Sequence, residues 1–308
     1  MNPNPSRRAT ARTWLLAIRP ATLPASMSGV VVGLEAAWGT GVPLRLDAAL
    51  GCLAVALLLQ ICANLANDLS DFRRGADTPD RLGPTRVAAS GLATPRQLQI
   101  AIAVVIAMAG IVGAWLAIIG GPVFVALGVA AIAAALLYTG GPFPYGYRGL
   151  GEAFVFVFFG LVAVVGTAEL QSGRSEVLYV LAAIPVGALT TAILVVNNLR
   201  DIATDRAASK RTLAVMFGGG FARAEYLGCL IAAWIVPVGL AAGRVWSGSI
   251  GRGPAILLPL LALPLAVPLW RTVRADGDPR LLNTVLRGTA RLTLVFALLF
   301  GVGLAWGR

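Results

Sequence analysis

No histidine occurs among the 308 residues, and lysine occurs once, at Lys210. The first absence excludes imidazole bases, His-ligated zinc and Ser-His triads. Charge of either sign is scarce, at 13% of residues, where a soluble domain carries about a quarter. The chain has three cysteines, Cys52, Cys62 and Cys229. Each falls inside an apolar run and no disulfide or zinc spacing exists, so they read as small buried apolar residues.

Long hydrophobic runs fill the chain instead: 57% of residues are apolar and the mean hydropathy is +0.80. A membrane span needs about 20 mostly apolar residues. Windows of that kind lie near 22–41, 46–66, 98–119, 122–139, 150–170, 177–197, 224–243, 254–271 and 288–307. The expected fold class is an all-α integral membrane protein of about nine transmembrane helices, forming one domain over 1–308 with an arm at 1–13. Proline and glycine within the windows are no objection, since membrane helices tolerate both. Gly120-Gly121-Pro122 predicts a tight hairpin, and Thr94-Pro95-Arg96-Gln97 a capping box with proline in the first turn. Arg7, Arg8 and Arg12 resemble the start of a signal peptide, but the following run is of full length and is broken at Arg19-Pro20, so it reads as a retained span.

The excess of 25 Lys+Arg over 14 Asp+Glu would suggest nucleic acid in a soluble protein. Here 20 of the 25 fall in the N-terminal arm and in the loops after the second, fourth, sixth and eighth windows. That asymmetry places those loops and the N-terminus in the cytoplasm. Basic groups divided among short loops argue against a nucleic-acid partner.

The few acids are concentrated. Asp68, Asp71, Asp77 and Asp80 follow the second window, and Asp201 and Asp205 the sixth, a weak internal repeat over 64–77 and 197–205. At about 100° per residue, Asn64, Asn67, Asp68 and Asp71 share an arc of roughly 100°, and Asn198, Asp201 and Asp205 one of roughly 60°. A carboxylate near membrane depth costs about 2.5–3.5 kcal/mol on the insertion scale, so a cation must offset converging rows. Hard oxygen donors suit Mg²⁺. Gly75 predicts a break after Arg74 and puts Asp77 in the following loop. Arg73, Arg74, Arg81 and Arg86 follow the first row; Arg200, Arg206, Lys210 and Arg211 follow the second. Carboxylates, Mg²⁺ and basic groups together hold a diphosphate. The stretch Tyr138–Arg148 carries three tyrosines, Tyr138, Tyr145 and Tyr147, on a Pro-stiffened loop. It reads either as an interfacial belt or as a cap whose ring faces stabilise a cation.

The segment Asn64-Leu-Ala-Asn67-Asp68-Leu-Ser-Asp71-Phe-Arg-Arg-Gly75-Ala-Asp77, then Gly83-Pro-Thr-Arg86, resembles the first motif of UbiA-type intramembrane prenyltransferases. Asn197-Asn198-Leu-Arg200-Asp201-Ile-Ala-Thr-Asp205-Arg206, then Lys210-Arg211, resembles the second. Tyr138-Thr-Gly-Gly-Pro and Tyr145-Gly-Tyr147-Arg148-Gly-Leu-Gly-Glu152 are similar to the 1,4-dihydroxy-2-naphthoate polyprenyltransferase branch, and Arg19-Pro20 to the family's opening segment. The resemblance implies nine helices around a central cavity in the cytoplasmic (inner) membrane of a cell, with the mouth towards the cytoplasm. It implies Mg²⁺-dependent prenyl transfer from a polyprenyl diphosphate to an aromatic acid with loss of carbon dioxide, in menaquinone biosynthesis. Asp68, Asp71, Asp201 and Asp205 are then the catalytic acids, joined at the metal by Asn67 and Asp77. Asn64, Asn67, Asn198, Arg19, Arg86, Tyr138, Tyr145, Tyr147, Arg148, Arg206, Lys210 and Arg211 contact substrate. Another acceptor such as 4-hydroxybenzoate, a cation transporter, or a membrane phosphotransferase are the rival readings. A transporter would want acids near span centres, and such phosphotransferases crowd their acids into one segment.

Overall fold

Proline and glycine punctuate the apolar runs, and the helices begin and end where they fall. In the computed structural model, which describes residues 9–76, 82–247, 253–275 and 277–306, no strand occurs among the described residues. Helix α1 (Ala11–Ile18) stops at Arg19, whose φ is 55°. A 3₁₀ turn over Pro20–Thr22 then leads into α2 (Leu23–Trp38). Helix α3 (Leu46–Arg73) carries the first acidic row to its end and breaks, as expected, before Gly75. Asp77 lies outside the described residues, as does most of the expected N-terminal arm.

Helix α4 (Pro95–Gly120) opens on the expected capping box. The Gln97 amide donates to the Thr94 hydroxyl at 3.2 Å, and the Thr94 amide to Gln97 Oε1 at 2.8 Å. A single residue, Gly121 at φ 88°, separates α4 from α5 (Pro122–Leu137); a Cβ would strain that backbone. Then follow α6 (Gly151–Ser172), α7 (Val177–Arg200), the short α8 (Ile202–Ala207), α9 (Leu213–Ser247, kinked at Gly218), α10 (Pro254–Arg274) and α11 (Leu282–Trp306).

Eight helical stretches among the described residues are long and apolar enough to cross a bilayer. Helix α5 is apolar but has 16 residues, about 24 Å of rise against a hydrocarbon core of about 30 Å. About nine spans were expected; among the described residues eight are of full length and the remaining window is helical but short. Gly140, Gly141 and Pro142 end its helical run early. Large aliphatic side chains stand fully outward, Ile118 at 84% and Ile111 at 73% exposure, the surface of a multi-pass membrane protein.

Helix α7 is the axis of the bundle: 72% of its apolar window is buried, against 17% for α4. It packs against α2, α6, α9 and α11. A π turn over Phe156–Val162 brings Gly160 of α6 against Gly187 of α7, where a Cβ on Gly160 would lie 2.7 Å from the Gly187 Cα. This close approach seats the first turn of α6 beside the last turn of α7, where the second acidic row begins.

Candidate active site

At the end of α3, Asp71 is buried and holds three donors at once. Arg86 reaches its Oδ2 at 2.9 Å, Tyr147 donates to its Oδ1 at 2.9 Å, and Lys210 Nζ lies 3.5 Å from Oδ2. The donors come from three separate loops, so Asp71 ties the chain's first, middle and later parts together. Burial, and then the charge and hydrogen bond of Asp71, push the Tyr147 phenol above its ordinary range. It stays protonated and donates. The Lys210 ammonium also lies 4.8 Å from the centre of the Tyr147 ring, within cation–π reach.

The second row begins where α7 ends. Arg200 grips Asp201 through two contacts, at 2.7 and 2.5 Å, and also donates to Asn197 Oδ1 and Asn283 Oδ1. Asn283 in turn donates to the Leu82 carbonyl at 3.0 Å, fastening α11 to the loop that carries Arg86. One turn of chain on, Asp205 lies 3.7 Å from Lys210 Nζ. Lys210 thus stands between the two rows.

Both rows line one polar cavity of about 610 Å³, together with Arg19, Asn67, Arg86, Tyr138, Tyr147, Asn198 and Lys210. An apolar chamber of about 330 Å³ adjoins it; Gln60, Asn67, Tyr138, Val155, Phe159 and Leu194 contribute to both walls. The tyrosine loop closes the seam. Thr139 donates to Asn67 Oδ1 at 2.9 Å, and Arg74 donates to the Thr139 and Gly141 carbonyls. From it runs an aromatic file: Tyr138 edge-on to Tyr145, and Tyr145 stacked on Phe154 at 4.0 Å.

Several expected site residues stand elsewhere. Asp68 does not line the cavity: its oxygens accept the Val87 and Ala88 amides at 2.9 and 3.0 Å, so it caps the turn that delivers Arg86. An arc of about 100° on a helix is wide enough to face two neighbours, and Asp68 faces the second. Asn64 lies about two turns back from Asp71 along α3, on the apolar chamber, and donates to the Ile18 carbonyl and Thr22 hydroxyl, holding the turn after α1. Tyr145 also lines that chamber, donating to the Ala134 carbonyl. Arg148, Arg206 and Arg211 are exposed and outside the lining. The Arg148 guanidinium sits over Phe143 at 3.7 Å. Arg206 and Arg211 each follow an inward residue by one position, and one position turns a side chain away.

Thr212, Asn283 and Arg287 line the cavity without having been expected there; Arg200, expected as a basic flank of the second row, and Asn197, which opens the second motif, line it as well. The signal for the α11 pair was a polar residue and an arginine four apart at the start of an apolar span. Glu152, buried and accepting from Asn198 Nδ2 at 2.7 Å, was marked only by its place in the tyrosine stretch.

Among the described residues no three acids crowd closely enough to form a ready metal cluster. The acids face one another across the cavity, with Lys210 between them and Arg86 and Arg200 alongside. Hard oxygens from Asn67, Asp71, Asp201 and Asp205 are the donors that would hold a divalent cation there. A polyanion entering between the rows would also take up the basic partners.

The UbiA prenyltransferase family profile matches residues 26–286. A Mycobacterium tuberculosis protein named 1,4-dihydroxy-2-naphthoate octaprenyltransferase is 41% identical over 300 residues, covering 97% of this chain and 99% of that protein. A Mycobacterium leprae protein of the same name is 40% identical, with 94% and 95% covered. Among solved structures, a UbiA homolog from Archaeoglobus fulgidus bound to GPP and Mg2+ superposes with TM-score 0.64 at 15% identity, over 94% of this chain and 100% of that one. Matched over most of its length in sequence and in fold, the chain belongs to the UbiA prenyltransferase family.

Proposed function

We propose that the chain, acting as one unit over 1–308, transfers a polyprenyl group from an allylic diphosphate to 1,4-dihydroxy-2-naphthoate with loss of carbon dioxide. The product is a demethylmenaquinol, the reduced form of a demethylmenaquinone. The names of the two mycobacterial relatives support the acceptor. The observation that carries the reading is Lys210 standing within 4 Å of both acidic rows, at a polar cavity that opens onto an apolar chamber.

The oxygens of Asn67, Asp71, Asp201 and Asp205 would hold Mg²⁺, which when bound supplies a Lewis acid for the leaving diphosphate. Arg86 and Lys210, at the cavity wall, exchange part of their contact with Asp71 for phosphate oxygens and take up charge as the C–O bond breaks. Tyr147 keeps its proton and holds Asp71 in place. The tail lies in the apolar chamber, whose walls exclude water from the allylic cation. The ring faces of Tyr138, Tyr145 and Phe154 stand beside that chamber and stabilise positive charge. The ring of the acceptor then attacks the prenyl carbon. The basic loops support a reading in which the cavity mouth and the N-terminus face the cytoplasm across the cytoplasmic membrane and α5 is a ninth crossing.

The test is purified protein with Mg²⁺ and a long allylic diphosphate, offered dihydroxynaphthoate and 4-hydroxybenzoate side by side. Prenylated, decarboxylated naphthoquinol is the expected product. Preference for the benzoate overturns the acceptor; no product from either overturns the reaction.

A further inference from the structure

We infer that Glu152 is a positioning residue for the acceptor, acting through Asn198: it turns the Asn198 amide so that its oxygen faces the cavity and accepts the acceptor's hydroxyl. The inference rests on the prenyl-transfer reading of the cavity. Glu152 lies in the first turn of α6, is 6% exposed, and lines neither cavity. Its Oε1 accepts from Asn198 Nδ2 at 2.7 Å, the one side-chain hydrogen bond it makes among the described residues. Asn198 is itself buried and lines the polar cavity.

A carboxylate only accepts, so the NH₂ end of Asn198 must be the end that meets Glu152. The Oδ1 end is left for the cavity, and a negative charge behind the amide makes that oxygen a stronger acceptor. A carboxylate at membrane depth is costly. A neutral glutamine could bridge the same helices, but it could also present either end to Asn198 and so would not set the amide's direction.

The depth of Asn198 separates it from the diphosphate. It precedes Asp201 by three residues, about 4.5 Å of helix, towards the middle of α7. Leu194, one turn deeper, belongs to the seam shared by the polar cavity and the apolar chamber. With the diphosphate among Asp71, Lys210 and Asp205, the prenyl carbon bonded to it points to this seam. The attacking ring must lie there too. On the α7 side, Asn197 and Asn198 are the polar side chains at that level; the Asn197 oxygen already accepts from Arg200 at 2.7 Å, which leaves Asn198 for the acceptor. A ring hydroxyl that hydrogen-bonds to its oxygen releases electron density into the ring and is held with one face towards the prenyl carbon.

The test is steady-state kinetics on purified protein, varying acceptor and prenyl diphosphate separately, for Glu152→Gln, Asn198→Ala and the double variant. Binding of a non-reactive prenyl thiodiphosphate, measured by calorimetry without acceptor, runs alongside. Each single variant is expected to lower kcat/KM for the acceptor by about 10–100-fold, the scale of leaving one hydrogen-bond partner unmet. The KM for prenyl diphosphate and the binding of the analogue stay as in the unaltered protein. The double variant is no worse than Asn198→Ala, because Glu152 acts only through it. Unchanged acceptor kinetics, additive losses, or a loss that falls on analogue binding each overturn the inference. If Glu152→Gln does not fold, Asn198→Ala alone decides: wild-type acceptor kinetics overturn it. Absence of any transfer by the unaltered protein overturns the reaction reading instead, and is distinguished by that control.

Discussion

Lys210 Nζ lies 3.5 Å from Asp71 Oδ2, joining residues 139 positions apart in the chain. The same ammonium lies 3.7 Å from Asp205. One lysine therefore keeps two rows of carboxylates at a common cavity. Lys210→Met is expected to raise the KM for prenyl diphosphate, since a phosphate partner is removed. Asp71→Asn is expected to cut kcat by about 100-fold or more, the scale of removing one group that stabilises developing charge, while the protein still inserts. Steady-state kinetics in detergent checks both, and wild-type turnover in Asp71→Asn would sink the assignment.

Asp68 behaves differently from Asp71. It serves two backbone amides of the turn at Val87 and Ala88, and an asparagine would face one of them with an NH₂ group. Asp68→Asn should therefore cost about 1–3 kcal/mol of stability, the penalty for an unmet buried donor. The fraction that remains folded keeps most of its turnover. An unchanged melting temperature with activity lost would show instead that Asp68 binds metal.

The arginines divide by burial. Arg148, Arg206 and Arg211 are exposed, and exposed charges are worth about 0–1 kcal/mol, so alanine at each leaves kcat/KM near wild type. Arg86 is 7% exposed and paired with Asp71. Removing one partner of such a buried pair costs about 3–5 kcal/mol, so Arg86→Ala loses both stability and turnover. Equal effects in all four variants would contradict the placement of the cavity.

The tyrosine loop sets an alkaline limit. Burial raises the phenols of Tyr138, Tyr145 and Tyr147 above their ordinary value, with Asp71 adding to the rise at Tyr147. A raised value in the folded state means that the fold binds these protons more tightly than the unfolded chain. Their contribution is thus complete below the ordinary phenol value of about 10 and is lost as pH rises above it. The unfolding temperature should hold steady from neutrality and fall beyond that point, and Tyr147→Phe should shrink the fall. A flat profile in the alkaline range would refute this.

Hydropathy alone determined the membrane fold, because a bilayer leaves few backbone solutions and helices need long apolar runs. Local chemistry set the breaks as well: Gly121-Pro122, the box at Thr94–Gln97, and the stops at Arg19 and Gly75 all involve neighbours in sequence. The two acidic rows were legible too, since period and composition placed them at matching helix ends. Direction within a row was not. Asp68 and Asp71 look alike on a helical wheel, yet one caps a loop and the other lines the cavity, because the loop at 82–90 occupies one side of α3. Nor could the sequence rank its arginines, since one residue of offset decides whether a side chain meets the cavity or the surface. Asn283, which docks on Arg200 from 83 positions away, and the bond from Asn198 to Glu152 exist only where helices cross. Those contacts join distant parts of the chain, and only the tertiary structure decides which face each helix turns inward.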